Sequence, residues 1–489
     1  MTPTTVEKIK ADLLARHGEG QRARVNRGVD QVAALWRTED GDLASFCSEH
    51  FLSDDAALEQ TLARLEYTLE QLDGHMNEIL RELRRPTDLD TGPMLAVDPL
   101  LAALDPSAHV VEDLFRSNVA FVALLNFPLT TVRERVAAAS SYSRRQWAEV
   151  RLAGRFAQRV PPDVKQEIAR AAADAELYIS EYNVWAHHLV DAKGQRLFPP
   201  GKRLITHWNI RDEIKASYAD KGGLERQRTL ARVMDRIVTQ TIPAEVINNP
   251  RKDWDPVTNR VGPAPAATVE ENAPAVRADV SGAEPDTRYA RLLAQFHALK
   301  RADPYVPTAP TFMARSYELG REMEEARVVG LLRQVLESPV VGKVAKEVER
   351  RLKRKLEPHD IWFPGFKPRP PLTEPELDAI TRQRYPTAAA FAQDIPRILA
   401  ALGFSPERAR YLADRIVVDS SRGAGHALQS NRRGDFPHLR TRVEKDGMNY
   451  KGYNIAIHEL GHNVEQVFSL YNVDHTLLQG VPNNAFTEA

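Results

Sequence analysis

Between residues 58 and 83 the apolar residues Leu58, Leu62, Leu65, Leu69, Leu72, Met76, Ile79 and Leu83 follow one another in alternating steps of four and three. That spacing puts all of them on one stripe of a single helix. Ser53, Asp54 and Asp55 suit its N-terminal end, where free N–H groups and the dipole favour oxygen and negative charge. Arg84, Arg85 and Pro86 predict its close. The heptads stop after about four, so the stripe predicts burial inside a helical bundle rather than a dimeric coiled coil.

Similar periodicity predicts helices at roughly 108–126, 129–157, 161–190, 209–220 and 222–242. β-Branched alternation is almost absent before residue 436, which leaves room for one small β element around 436–444. The stretch 255–287 is rich in Pro, Ala, Gly and Glu without apolar period and reads as a linker or long surface loop. It divides the chain into an N-terminal helical region, 1–254, and a second helical region, 288–489. The basic run Lys343–Lys355 has Val344, Val348 and Leu352 on one face, so its charges read as a solvated face. Ser405 followed by Pro406 predicts a short helix to Arg415. The expected fold class is mainly α.

Composition narrows the function classes. The chain has 489 residues with 66 Lys plus Arg against 67 Asp plus Glu, a formal net charge of −1. A neutral chain gives no argument for nucleic acid or an anionic membrane as main partner. Cys47 is the single cysteine, which excludes an intrachain disulfide and a Cys-rich zinc module. Val119–Leu125, the longest uncharged apolar run, is far short of the roughly 20 residues that span a bilayer. The N-terminus has no apolar signal-like core, so a cytoplasmic location is the default expectation. No phosphate-loop or dinucleotide-binding glycine pattern occurs.

The chemistry is concentrated near the C-terminus, in Ile455-Ala-Ile-His458-Glu459-Leu460-Gly461-His462-Asn463. This is H-E-x-x-H on a helical pattern, with Ile457, Leu460 and Val464 as the apolar face. Two histidines four residues apart project from one face and can share a zinc ion at about 2.0–2.1 Å. Glu459 falls beside that face. Zinc lowers the pKa of a water on it toward about 7, and a carboxylate can take its proton as it attacks a carbonyl.

A hydrolytic zinc needs a third protein ligand and one open position. The metzincin continuation would need glycine at position 465 and histidine at position 468, where this chain has Glu465 and Phe468. A carboxylate from a second helix remains. Asn483 or Asn484 can cap a helix that puts Glu488 one turn inside it, facing the first. Glu465 is the rival, three residues after His462, but its short reach along the same helix disfavours a clean tetrahedron.

These residues resemble gluzincin peptidases of the angiotensin-converting-enzyme and thimet-oligopeptidase type. Gly480, Asn483 or Asn484, Phe486, Glu488 and Ala489 match a G-x-N-x-x-F-x-E-A-like segment, with one extra residue between Gly480 and Phe486. Upstream, Gly425-His426-Ala427, Asp435-Phe436 and the stretch from His438 to Val443 echo the family's order. The likeness is specific over about 419–489. It implies a two-lobed helical architecture with a deep cleft and a small β element beside the zinc helix, one Zn2+ per chain, and Glu488 as third ligand. It also implies that His426 and the backbone at Ala427 line the cleft and bond an extended peptide as an added strand. A weaker echo is Glu357–Phe363, where Trp362 reads as core packing.

The resemblance also implies a His and a Tyr that donate to the oxyanion downstream of the glutamate ligand, whereas this chain ends one residue after Glu488. The chain therefore reads as truncated at its C-terminus, with poor metal binding and little or no activity expected of it as it stands, and within it only His426 or His438 is a conceivable substitute donor. The expected function is zinc-dependent hydrolysis of short or unfolded peptides, with Glu459 as catalytic base and His458, His462 and Glu488 as metal ligands. No nucleic-acid or membrane partner is expected. The competing reading is a non-enzymatic helical binding or scaffold protein with a vestigial metal site. The adjacent pair His187-His188 reads as structural, since neighbours on a helix point about 100° apart.

Overall fold

A computed structural model describes the chain except residues 1–2, 103, 105, 181, 201–202, 205–206, 270–280, 367–371, 423–424 and 481–489. It is mainly helical, 64% helix against 7% strand, as the periodicity predicts. Two compact units form: residues 1–165, 302–325 and 370–489 in the first, 166–301 and 326–369 in the second. Neither is a continuous stretch, so the sequence-level division at 255–287 does not coincide with this partition.

In the first unit the helices Pro3–His17, Arg22–Leu35, Leu43–His50, Val119–Asn126 and Arg144–Gly154 enclose a core that includes Val29, Phe46, Phe121 and Phe156. The long helix Asp55–Asp88 feeds Leu58, Leu62 and Leu69 into it. Its cap is Asp54, whose carboxylate accepts from the Ala57 N–H at 2.9 Å. The predicted stop at Pro86 is overrun, and the proline sits inside the last turn. Partners from far along the chain hold that turn: Arg422 donates to the Pro86 carbonyl at 3.0 Å, and Arg440 pairs with Asp88 at 2.8 Å. The predicted 108–126 helix is in fact two, broken where Asn118 takes φ 63°.

The rest of this unit surrounds a second core, with Phe391, Ile395, Leu412, Leu439, Leu460 and Val467 in it. A three-stranded sheet crosses here: His438–Thr441 lies in the middle, parallel to Val417–Ser420 and antiparallel to His426–Leu428. The predicted β element at 436–444 is thus its central strand. The helix Tyr450–Tyr471 packs beside it.

The second unit has its own core around Trp254, Leu230, Val233 and Ile242. The stretch read as a linker begins in a hairpin, Lys252–Asp255 with Arg260–Pro263. The Trp254 indole donates to Asn259 at 3.1 Å, and Asp255 accepts from Val257 N at 2.9 Å. Four-residue strands pinned this way need no apolar period, which is why the pattern passes over them. Further on, Glu284 accepts from Tyr178 and Tyr182. Trp362 packs against the Trp254 core, and Asp360 is buried under bonds from Tyr218 and Arg354.

Gly28 faces the Val119–Asn126 helix so closely that an added Cβ would lie 2.0 Å from the Leu125 carbonyl oxygen. Backbone cannot yield there as a flexible side chain would. Gly28→Ala is expected to lower stability by about 1–3 kcal/mol, read as a lower urea midpoint at unchanged slope; an unchanged midpoint would show that the two helices are not held this tightly.

Candidate metal centre

The helix Tyr450–Tyr471 begins at Asn449, whose side chain accepts from Gly452 N at 2.8 Å, and Tyr450 N donates to Asp378 at 2.8 Å. These bonds satisfy two of the free N–H groups of the first turn. Thr441 on the central strand donates to the Gly452 carbonyl at 2.7 Å. Gly452 is required at this contact, since a Cβ would meet the Arg442 carbonyl oxygen at 2.4 Å. Ala456, Leu460 and Val467 are buried, and Ile457 and Val464 pack partly against the same core. The opposite side carries His458, exposed, and His462, half-buried.

The two imidazoles converge. Their Nε2 atoms are 3.2 Å apart and their ring planes stand at 81°. With metal–nitrogen bonds of about 2.0–2.1 Å, a 3.2 Å separation subtends about 100–106° at a shared ion, close to a tetrahedral angle. The donor pair therefore fits zinc. Glu459 is half-buried beside them and, among the described residues, takes no hydrogen bond or ion pair. Glu465, the rival ligand, accepts from Ser469 one turn further on. Glu488 and Ala489 lie outside the described residues, and no group of three His, Cys, Asp or Glu side chains gathers among those that are described.

His426 and Ala427 stand on the outer strand, paired with Arg440 and Leu439. That strand passes over the helix one turn before His458: at Gly425, a Cβ would lie 2.3 Å from the Ile455 side chain. The residue before His426 is therefore placed about one turn from His458 along the helix. His426 Nε2 is 3.3 Å from the Arg440 guanidinium, which is 1% exposed and paired with Asp88.

Sequence reasoning did not find this charged layer. His438 Nδ1 lies 2.7 Å from Asp419, and its Nε2 lies 3.4 Å from Arg81. Burial alone would raise the Asp419 pKa, but the His438 bond and the charges of His438, Arg440 and Arg81 hold it below the usual range. Asn463 is fully buried beside His462. Its amide donates to Gln466 at 2.8 Å and its Oδ1 has no partner. The signal for Asn463 was present in the sequence, as a polar residue on the apolar side of the helix.

The other histidine pair differs from expectation. His187 and His188 lie in a short 3-10 turn after the strand Val184–Trp185, not on a helix. His188 bonds Asp253 at 2.9 Å, and Arg196 bonds the same carboxylate at 2.8 Å, so His188 is held structurally by a partner 65 residues away. Cys47 is buried, and its thiol is pushed up to about 12, mainly by burial, which leaves it inert.

No protein-family model, curated protein or solved structure matches the chain.

Behind the helix, Tyr453 stacks on Tyr385 with centroids 5.6 Å apart, and the Tyr385 hydroxyl donates to Asp394 at 2.7 Å. Bonds from Arg397 and then Tyr385 hold Asp394 down at about 2, against an ordinary 3.8. A folded-state pKa below the unfolded value contributes stability above the unfolded pKa and loses it as pH falls through the folded one. Acid titration should therefore loosen this support between about pH 4 and pH 2. Asp394→Asn should lower stability at neutral pH and flatten the loss across that window. A variant that keeps the parent's slope there would refute the assignment.

Proposed function

We propose that this chain is a zinc-dependent peptidase acting on short or unfolded peptides, with His458, His462 and Glu488 as metal ligands. The observation that supports it most is the 3.2 Å convergence of the two Nε2 atoms on one helix face, at an angle that suits a four-coordinate ion. Glu488 enters through the pattern Gly480, Asn483 or Asn484, Phe486, Glu488 and Ala489. When bound, zinc supplies Lewis acidity toward a peptide carbonyl and makes water a competent nucleophile near neutral pH. Glu459 takes the proton of the attacking water and passes it to the departing amine. The outer position of His426–Leu428 supports a role for its backbone in bonding an extended peptide. A two-lobed form with a deep cleft belongs to the same proposal, because such a channel admits short chains and excludes folded ones.

The test uses purified full chain equilibrated with zinc. The parent should carry close to one zinc per chain, and His458→Ala should lose it. Glu459→Gln should keep the metal and lose hydrolysis of a short peptide by about 10²–10⁴-fold. Normal cleavage by both variants would overturn these roles. A chain that holds no zinc and cleaves nothing would favour the scaffold reading.

A further inference from the structure

Residues 326–355, all in the second unit, carry nine basic and three acidic residues, a net charge of +6 in a chain whose total is −1. They take in the helix Glu325–Leu336 from its second residue and the helix Pro339–Leu352, separated at Ser338, which caps the second. On the first helix no residue is buried. Val335 is 65% and Leu336 72% exposed, and Val329, Leu332, Val340 and Val344 are exposed as well. A helix of about twelve residues with no covered face is marginal in water, and a contiguous aliphatic patch of this kind marks an interaction surface. The expectation that Val344, Val348 and Leu352 are covered holds for Val348, the only buried residue of the second helix.

We infer that these two helices form a docking surface for an anionic lipid bilayer. On the second helix the exposed Val340, Val341 and Val344 share one side, while Lys343, Lys346 and Arg350 share the other. Aliphatic residues on one face and lysine or arginine on the other is the arrangement that lies in the headgroup plane of a membrane, and the excess of lysine and arginine that remains with Arg354 paired to the buried Asp360 complements acidic headgroups. A second copy of the chain is disfavoured, because a two-fold contact through this patch would set one basic surface against another. A single protein groove is disfavoured too, since the apolar residues run across the break at Ser338 and Pro339; a fluid interface receives both helices. No helix of the described residues is long and apolar enough to cross the bilayer, so the contact is peripheral.

The experiment is flotation of the full chain with vesicles of phosphatidylcholine alone or with roughly one third phosphatidylserine. The anionic vesicles should bind at least about tenfold more tightly, and less so as salt rises. Leu332→Asp with Val335→Asp should weaken that binding by about tenfold or more. Lys343→Glu with Lys346→Glu should reduce the preference for anionic vesicles and flatten its salt dependence. All four positions are exposed, so melting curves of both variants should match the parent. Equal binding to both vesicles, or none, would overturn the inference. So would a parent dimer that Leu332→Asp splits while vesicles are ignored.

Discussion

His458 and His462 keep their ring nitrogens 3.2 Å apart on one side of the helix Tyr450–Tyr471, and everything proposed about the site depends on that helix holding its rotation. One residue of slippage would swing the pair by about 100°. Ala456, Leu460 and Val467 resist this by burying the opposite side. At the N-terminal end, the Asn449 cap, the Asp378 bond and the Thr441 hydroxyl fix where the helix starts. Gly452 allows the approach to the strand that makes the Thr441 bond feasible. The face that carries the two histidines is thus anchored from behind, as the proposed metal site requires.

A second constraint sets the strands against the long helix. Arg440 is 1% exposed and reaches Asp88 at 2.8 Å, with Asp419 and His426 also near its guanidinium. Buried charges of this kind add little net stability, but removing one partner strands the other at a cost of about 3–5 kcal/mol. The arrangement therefore works as a lock on geometry. Glu66 on the same helix accepts from Thr476 and Leu477 N and ties down the chain that leaves the histidine helix.

What the sequence disclosed was whatever depends on neighbours along the chain. The long helix and its N-terminal end were legible because capping and periodicity are local, and H-E-x-x-H was legible because a step of four closes on one helix face. The C-terminal end of the long helix was not, since Arg422 and Arg440, more than 300 residues away, support the turn around Pro86. The break at Asn118 and the 3-10 turn at His187-His188 were missed for related reasons. One rests on a single left-handed residue and the other on Asp253. The Asp419–His438 pair arises from parallel strand pairing that carries no sequence period. The basic run near Lys343 was legible as an amphipathic helix, but no pattern says whether an apolar face is covered.

The central claim is that two imidazoles of one helix turn share a single ion. Zinc-edge X-ray absorption on the metal-loaded full chain tests it most directly. The expected spectrum has a shell containing two imidazole nitrogens at about 2.0–2.1 Å, and His462→Ala, like His458→Ala, should abolish that shell by losing the metal. A spectrum without imidazole scattering, or one that the substitution leaves unchanged, would contradict it.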